Sequence, residues 1–177
     1  GIEEFHPFFF EDPVTPDSFD EMAEVAKHIS IPIATGERIH TIWEFEMLLS
    51  RGAVQYVRPD VCMCGGITHA KKIAALAEAR HVGVVPHNPL SPVSTAACIQ
   101  IAACIPNFAL QEYPLAEWPP KEHGIVKSQL ECIDGFLTVP DAPGIGVELA
   151  EDAMERFPYK PRRVETRLHV DGSVVDQ

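Results

Sequence analysis

Ile31-Pro-Ile-Ala-Thr35 is a short apolar run that stops at Gly36 and delivers a carboxylate, Glu37, immediately beyond it. Four other runs end the same way. Phe8-Phe-Phe10 leads into Glu11, Val54-Gln-Tyr-Val57 into Asp60, Val82-Gly-Val-Val85 into His87 and Phe108-Ala-Leu110 into Glu112. Such brief runs, bounded by turn residues and rich in β-branched or aromatic side chains, read as strands. Between them lie stretches with apolar residues at helical spacing. Ser18 is placed to cap a helix through about His28, with Glu21 three residues on as in a capping box. Residues 42–50 and 67–80 carry two more helices, the second with Ile67, Ile73, Leu76 and Ala77 on one face. A fourth runs from Pro92, well suited to a first turn, to Cys104.

Strands that start roughly every 23 to 29 residues and alternate with helices imply parallel pairing and an α/β fold. An open doubly wound sheet and a TIM-type barrel both satisfy the alternation. The ionisable groups decide between them. Glu11, Glu37, Asp60, His87 and Glu112 each fall at or just beyond a strand's C-terminal end. A barrel brings all those ends into one pocket, whereas an open sheet would scatter them. A whole barrel takes about 250 residues and eight strands. The 177 residues here therefore predict a partial barrel over 1–113, its last five strands. An irregular segment over 114–177 follows. Pro114, Pro119-Pro120 and Asp141-Ala-Pro-Gly-Ile-Gly146 interrupt it, and Gly135-Phe-Leu-Thr-Val139 offers one or two short strands.

The formal net charge is −12, with no basic stripe. Phosphate neutralisation supplies most nucleic-acid affinity, so no nucleic-acid partner is expected. Lys160-Pro-Arg-Arg163 is short and reads as a surface tail. No run of about 18 apolar residues is present, so no membrane span is expected, and the first residues lack the pattern of a signal peptide. Five cysteines are an odd number in a chain of this size. Cys62-Met-Cys64 has no second Cys or His pair at zinc spacing, so reduced, mostly buried thiols in a cytoplasmic protein are expected.

Single glutamates usually belong to solvated surface. Two at matching strand ends, Glu11 and Glu37, suit a hard divalent cation, and magnesium takes oxygen ligands. Asp60 and His87 end adjacent strands. A carboxylate bonded to one imidazole nitrogen fixes the tautomer and raises the basicity of the other, which makes a base for taking a proton from carbon. Two blander readings stay open: His87 as a turn residue in Pro86-His-Asn-Pro89, and Glu112 as an ion-pair partner capping the core.

The order Phe10-Glu-Asp-Pro13, Gly36-Glu-Arg38, Arg58-Pro-Asp60 with Gly65-Gly-Ile-Thr68, Pro86-His-Asn-Pro89 and Gln111-Glu112 resembles the enolase superfamily, mandelate racemase subgroup. Its galactonate dehydratase-like sugar-acid dehydratases are the most similar. Pro86-His-Asn-Pro-Leu-Ser-Pro-Val-Ser-Thr-Ala-Ala97 is the most specific stretch, and the likeness extends to Pro143-Gly-Ile-Gly-Val-Glu148. The resemblance implies a (β/α)7β barrel, with the tail returning to a capping domain. It implies Glu11 and Glu37 as the second and third magnesium ligands, and Asp60 and His87 as the dyad that removes the proton α to the substrate carboxylate. Glu112 would hydrogen-bond a substrate carboxylate oxygen as the enediolate forms. The implied activity is that of a lyase, a hydro-lyase converting a galactonate-like aldonate to a 2-keto-3-deoxy sugar acid with Mg2+.

The first metal ligand of that pattern is an Asp one strand before Glu11, with the leaving-group acid, a His, beside it. No upstream strand is present, and His6 precedes its strand, so it is not that acid. Little activity is therefore expected of these residues alone, and self-association or pairing with an N-terminal part is expected. A racemase or epimerase of the same superfamily and a non-catalytic half-barrel are the alternative readings.

Overall fold

Four short strands pair in chain order, all parallel: β1 (Phe10–Glu11), β2 (Ile33–Thr35), β3 (Tyr56–Val57) and β4 (Gly83–Val84). The computed structural model describes residues 1–89, 91–114, 124–161 and 167–175. Leu90, Pro119-Pro120 and Arg162-Arg163, used in the sequence reading, lie outside the described residues. The register places Glu11 opposite Ala34, Thr35 opposite Val57 and Val57 opposite Val84.

The expected fifth strand, Phe108–Leu110, is reduced to a bridge between Val84 and Phe108. Val84 donates to Asn107 O at 2.8 Å and accepts from Ala109 N–H at 2.9 Å. The ladder goes no further because its next bond would need an N–H from residue 86, which is a proline; beyond it, the Asn88 side-chain amide donates to the Glu112 carbonyl at 3.1 Å. At the opposite edge, Phe8 and Phe9 fall outside β1, which pairs only with β2. Their rings pack on Tyr56 at 5.1 and 5.8 Å between centroids.

Each strand is followed by a helix: α1 (Phe19–His28), α2 (Ile42–Ser50), α3 (Gly66–Glu78) and α4 (Pro92–Ala102). Ser18 Oγ accepts from Glu21 N–H as expected, capping α1. A reciprocal capping box forms at α2, where Thr41 Oγ1 accepts from Glu44 N–H and the Glu44 carboxylate accepts from Thr41 N–H. Ser91 caps α4, with Pro92 in its first turn. The buried stripe of α3 is Ala70, Ile73, Ala74 and Ala77. Ile67, expected on that face, is exposed: it sits in the first turn, at the edge of this stripe.

The core lies between sheet and helices. Phe45, Met22, Ile33, Leu48, Ile73, Val57 and Val84 are fully enclosed there. Small residues on α3 let it approach α2 and α4 closely, and this layer holds the strand ends at fixed spacing.

In the C-terminal segment, β5 (Cys132–Ile133) and β6 (Phe136–Leu137) form an antiparallel hairpin. Its turn residues Asp134 and Gly135 both have positive φ, 51° and 83°, which is the two-residue geometry that Asp-Gly favours. A single turn of helix, α5 (Ala153–Arg156), comes later.

All five cysteines are free, but fewer are buried than expected. Cys64 and Cys98 are enclosed, Cys132 is half-buried, and Cys62 and Cys104 are exposed at the ends of the helical layer. Burial pushes the Cys64 thiol up to about 11 and that of Cys98 up to about 12, with the Asp60 carboxylate adding to both.

Two expectations follow from this packing. Phe45→Ala should cost about 3–5 kcal/mol, read as a lower urea midpoint with an unchanged denaturant slope. Cys62 and Cys104 should react with an aromatic disulfide reagent in the folded chain, while Cys64 and Cys98 should stay protected up to pH 9 and become reactive only on unfolding. Because folding raises those two thiol pKa values, their contribution to stability is intact below the unfolded value of about 8.5. It is lost as pH climbs towards the folded values.

Candidate active site

The strand ends carry the polar residues because the chain must leave the sheet there. After β1, Asp12 N–H still donates to Ala34 O at 3.1 Å, and Asp12 itself takes the left-handed conformation with φ of 42°. Asp tolerates that region better than most residues. After β2, Gly36 has φ of 144°, and a Cβ there would sit 2.9 Å from both Arg58 N and the Phe45 ring. Only glycine lets the backbone turn Glu37 out at this point.

Asp60 and His87 face each other across a parallel bridge that continues the β3–β4 register, and His87 N–H donates to Pro59 O at 3.2 Å. The Asp60 carboxylate is 1% exposed and both its oxygens are used. Oδ1 accepts from Cys62 N–H at 2.7 Å, and Oδ2 lies 2.9 Å from His87 Nδ1. A carboxylate fixed by a backbone donor on one oxygen leaves the other aimed at a single ring nitrogen. With the proton on Nδ1, Nε2 is the ring nitrogen turned away from Asp60.

Glu37 meets that nitrogen, with Oε2 3.1 Å from His87 Nε2. Glu11 is ion-paired with Arg58 through Nη1. Glu112 is held on one oxygen: Oε2 accepts from Arg58 Nη2 at 2.5 Å and from Asn88 N–H at 2.7 Å. The side-chain amide of Asn88, fully buried, also donates to Thr95 Oγ1 at 2.8 Å and ties α4 to this strand end. Arg58 is nearly buried, with 5% of its side chain exposed. Burial pulls the guanidinium pKa down, and the Glu112 charge pulls it back up.

The structure thus joins all five expected residues into two local groups. Asp60, His87 and Glu37 form one, and Glu112 with Glu11 forms the other through Arg58. Arg58 and Asn88 were not singled out from the sequence, although each stands in a quoted motif, Arg58 two residues before Asp60 and Asn88 next to His87. A cation and an amide this near to strand-end ionisable residues were the available signal.

Among the described residues, no group of three or more His, Cys, Asp or Glu side chains is arranged to hold a metal ion. The expected pair of metal ligands is engaged otherwise, Glu37 with the imidazole and Glu11 with a guanidinium. The donor chemistry still fits a hard cation. Glu11 Oε1 is buried and makes no directional hydrogen bond despite its contact with Arg58. Glu37 is a second oxygen donor on the neighbouring strand end. Two carboxylates are a partial set for magnesium.

Residues 1–153 match the family described as enolase C-terminal domain-like. The chain belongs to that family. Within it, the chain is 36% identical, over 99% of its own length and 43% of the relative's, to a D-galactonate dehydratase family member of Streptomyces bingchenggensis. It is also 36% identical to a D-galactonate dehydratase of Xanthomonas oryzae, over 99% of this chain and 48% of that one. The chain therefore spans somewhat less than half the length of these relatives. A solved enolase from Agrobacterium radiobacter, bound to sodium and L-malate, superposes with a TM-score of 0.86 at 34% identity, covering 97% of this chain and 47% of that one. A mandelate racemase/muconate lactonizing enzyme from Jannaschia gives 0.84 at 35% identity, covering 92% and 41%. Membership makes the fold part of a TIM-type barrel, the architecture expected from the strand-end groups. No helix among the described residues is long and apolar enough to cross a membrane.

Asn88→Ala should destabilise the fold by about 1–3 kcal/mol, since it strips partners from Thr95 and from the Glu112 carbonyl. Urea denaturation checks this. Tyr or Trp fluorescence and circular dichroism should give coincident transitions.

Proposed function

We propose that this chain is the base-bearing part of a magnesium-dependent lyase that dehydrates a galactonate-like sugar acid to a 2-keto-3-deoxy sugar acid. The observation that carries the reading is the Asp60–His87 contact, 2.9 Å across adjacent strand ends in one ladder. The named D-galactonate dehydratases among its relatives support the substrate class.

In this reading His87 Nε2 removes the proton α to the substrate carboxylate. Asp60 keeps the other ring nitrogen protonated and steadies the imidazolium that forms. Glu112, anchored through Oε2, offers Oε1 to a substrate carboxylate oxygen. Glu11 and Glu37 would hold magnesium, whose charge when bound stabilises the developing negative charge on the substrate carboxylate. For the cation to bind, Glu37 turns from the imidazole, which frees Nε2 for the substrate. The β-hydroxyl then leaves as water with a proton from a general acid, and the resulting enol ketonises to the 2-keto-3-deoxy acid.

Residues 1–113 would serve as the barrel portion and 114–177 as the segment that packs on it and on a capping domain. Two carboxylates are an incomplete ligand set, so the isolated 177 residues should turn over galactonate well below the roughly 1 s⁻¹ of ordinary enzymes. Self-association or pairing with an N-terminal half, and a cytoplasmic setting, belong to the same proposal.

The test is to join this chain to the N-terminal portion of a D-galactonate dehydratase and follow 2-keto-3-deoxy acid formation from galactonate. His87→Asn should lower kcat by about 10²–10⁴ with little change in KM. Epimerised aldonate with no dehydrated product would replace this reading by a racemase. Full activity of His87→Asn would remove His87 from the chemistry.

A further inference from the structure

Arg58 is a buried cation whose two ends serve different carboxylates. Nη1 meets Glu11 at the end of β1, and Nη2 meets Glu112 Oε2 beyond the last strand bridge, while Nε has no hydrogen-bond partner. Arg58 leaves β3 directly, its own N–H donating to Thr35 O at 2.9 Å, so its backbone is pinned in the ladder. Glu112 has a second anchor in Asn88 N–H, so its place does not depend on Arg58 alone. Among the described residues Glu11 shows no second anchor beside Arg58. Glu112 therefore keeps a partner if the guanidinium moves, and Glu11 needs another cation in its place.

We propose that Arg58 is a built-in counter-cation for Glu11. It neutralises this carboxylate until a divalent cation takes its place, and it then remains a positioning residue for Glu112 alone. The proposal rests on the reading of Glu11 as a metal ligand. In physical terms, Glu11 is half-buried with its Oε1 fully covered, and a carboxylate oxygen out of water without a partner is costly. A guanidinium that covers it keeps the strand end folded without metal, at the expense of competing with the metal. Arginine suits the task because its planar fork spans two carboxylates, which a lysine ammonium cannot do. The two strand ends become linked: a cation arriving at Glu11 releases half of the fork that orients Glu112.

Manganese binding to the chain, followed by electron paramagnetic resonance and calorimetry, tests this without any turnover. Arg58→Gln, which keeps a hydrogen-bonding end but loses the charge, should bind Mn2+ about tenfold more tightly or better, since a positive charge next to the site is gone. Arg58→Lys, which keeps a charge there but loses the fork, should gain less than Arg58→Gln. The gain should vanish in the Arg58→Gln/Glu11→Gln double variant. In the unmutated chain, which needs no folding control, Mg2+ should shift the Arg58 side-chain ¹⁵N resonance, and Glu11→Gln should abolish that shift. Equal Mn2+ affinity in parent and Arg58→Gln would overturn the proposal while leaving Glu11 as a ligand. Binding indifferent to Glu11→Gln, or no binding at all, would overturn both the proposal and the ligand reading beneath it.

Discussion

Parallel register is the constraint on which the rest depends. Because β3 and β4 run in the same direction with Val57 opposite Val84, the residues three beyond each strand partner, Asp60 and His87, arrive opposite one another. Side chains at corresponding positions of parallel neighbours cannot avoid each other, and here they are an acid and a base. The same ladder puts Glu11 beside Ala34 and so one strand from Glu37, and it pins Arg58 through Thr35. The helices matter to this geometry chiefly as ballast. Phe45 from α2 closes under Gly36, and Thr95 from α4 holds Asn88.

Charge organises the site as strongly as packing does. Four acidic groups share a small region of a chain that is acidic overall, and two groups that can carry positive charge stand between them. His87 stands between Asp60 and Glu37, and Arg58 between Glu11 and Glu112. A neutral imidazole has a single N–H and can donate to one carboxylate only. Asp60 is the better placed of the two, being buried and fixed by Cys62 N–H, whereas Glu37 is partly open to solvent. That asymmetry leaves Glu37 free to find another cation.

Much of this was legible in the sequence because strand ends leave a periodic mark. Apolar runs followed by single ionisable residues gave the parallel alternation and the barrel, and three helices started where Ser18, Pro92 and the 42–50 pattern put them. What escaped had local causes. Phe108–Leu110 has strand composition, but whether a ladder continues depends on its partner strand, where Pro86 has no N–H to donate. Ile67 obeys the helical period, yet burial depends on what covers the first turn. Arg58 reads as a polar residue at a strand end. Only the fold shows that it reaches two carboxylates from different strands, one 47 and one 54 residues away, as the numbering of Glu11, Arg58 and Glu112 gives. Likewise the sequence could propose Glu37 as a metal ligand but not its contact with the imidazole.

The claim at the centre is that Asp60 holds the proton of His87 on Nδ1 and leaves Nε2 as the base. Long-range ¹⁵N–¹H correlation spectra of the imidazole test it directly, recorded at about pH 8 on the folded Glu37→Ala chain, in which the carboxylate that faces Nε2 is gone. The account predicts a protonated Nδ1 and an Nε2 with the shift of an unprotonated ring nitrogen, with the pattern lost in Asp60→Asn. A proton resident on Nε2, or a tautomer indifferent to Asp60→Asn, would contradict it.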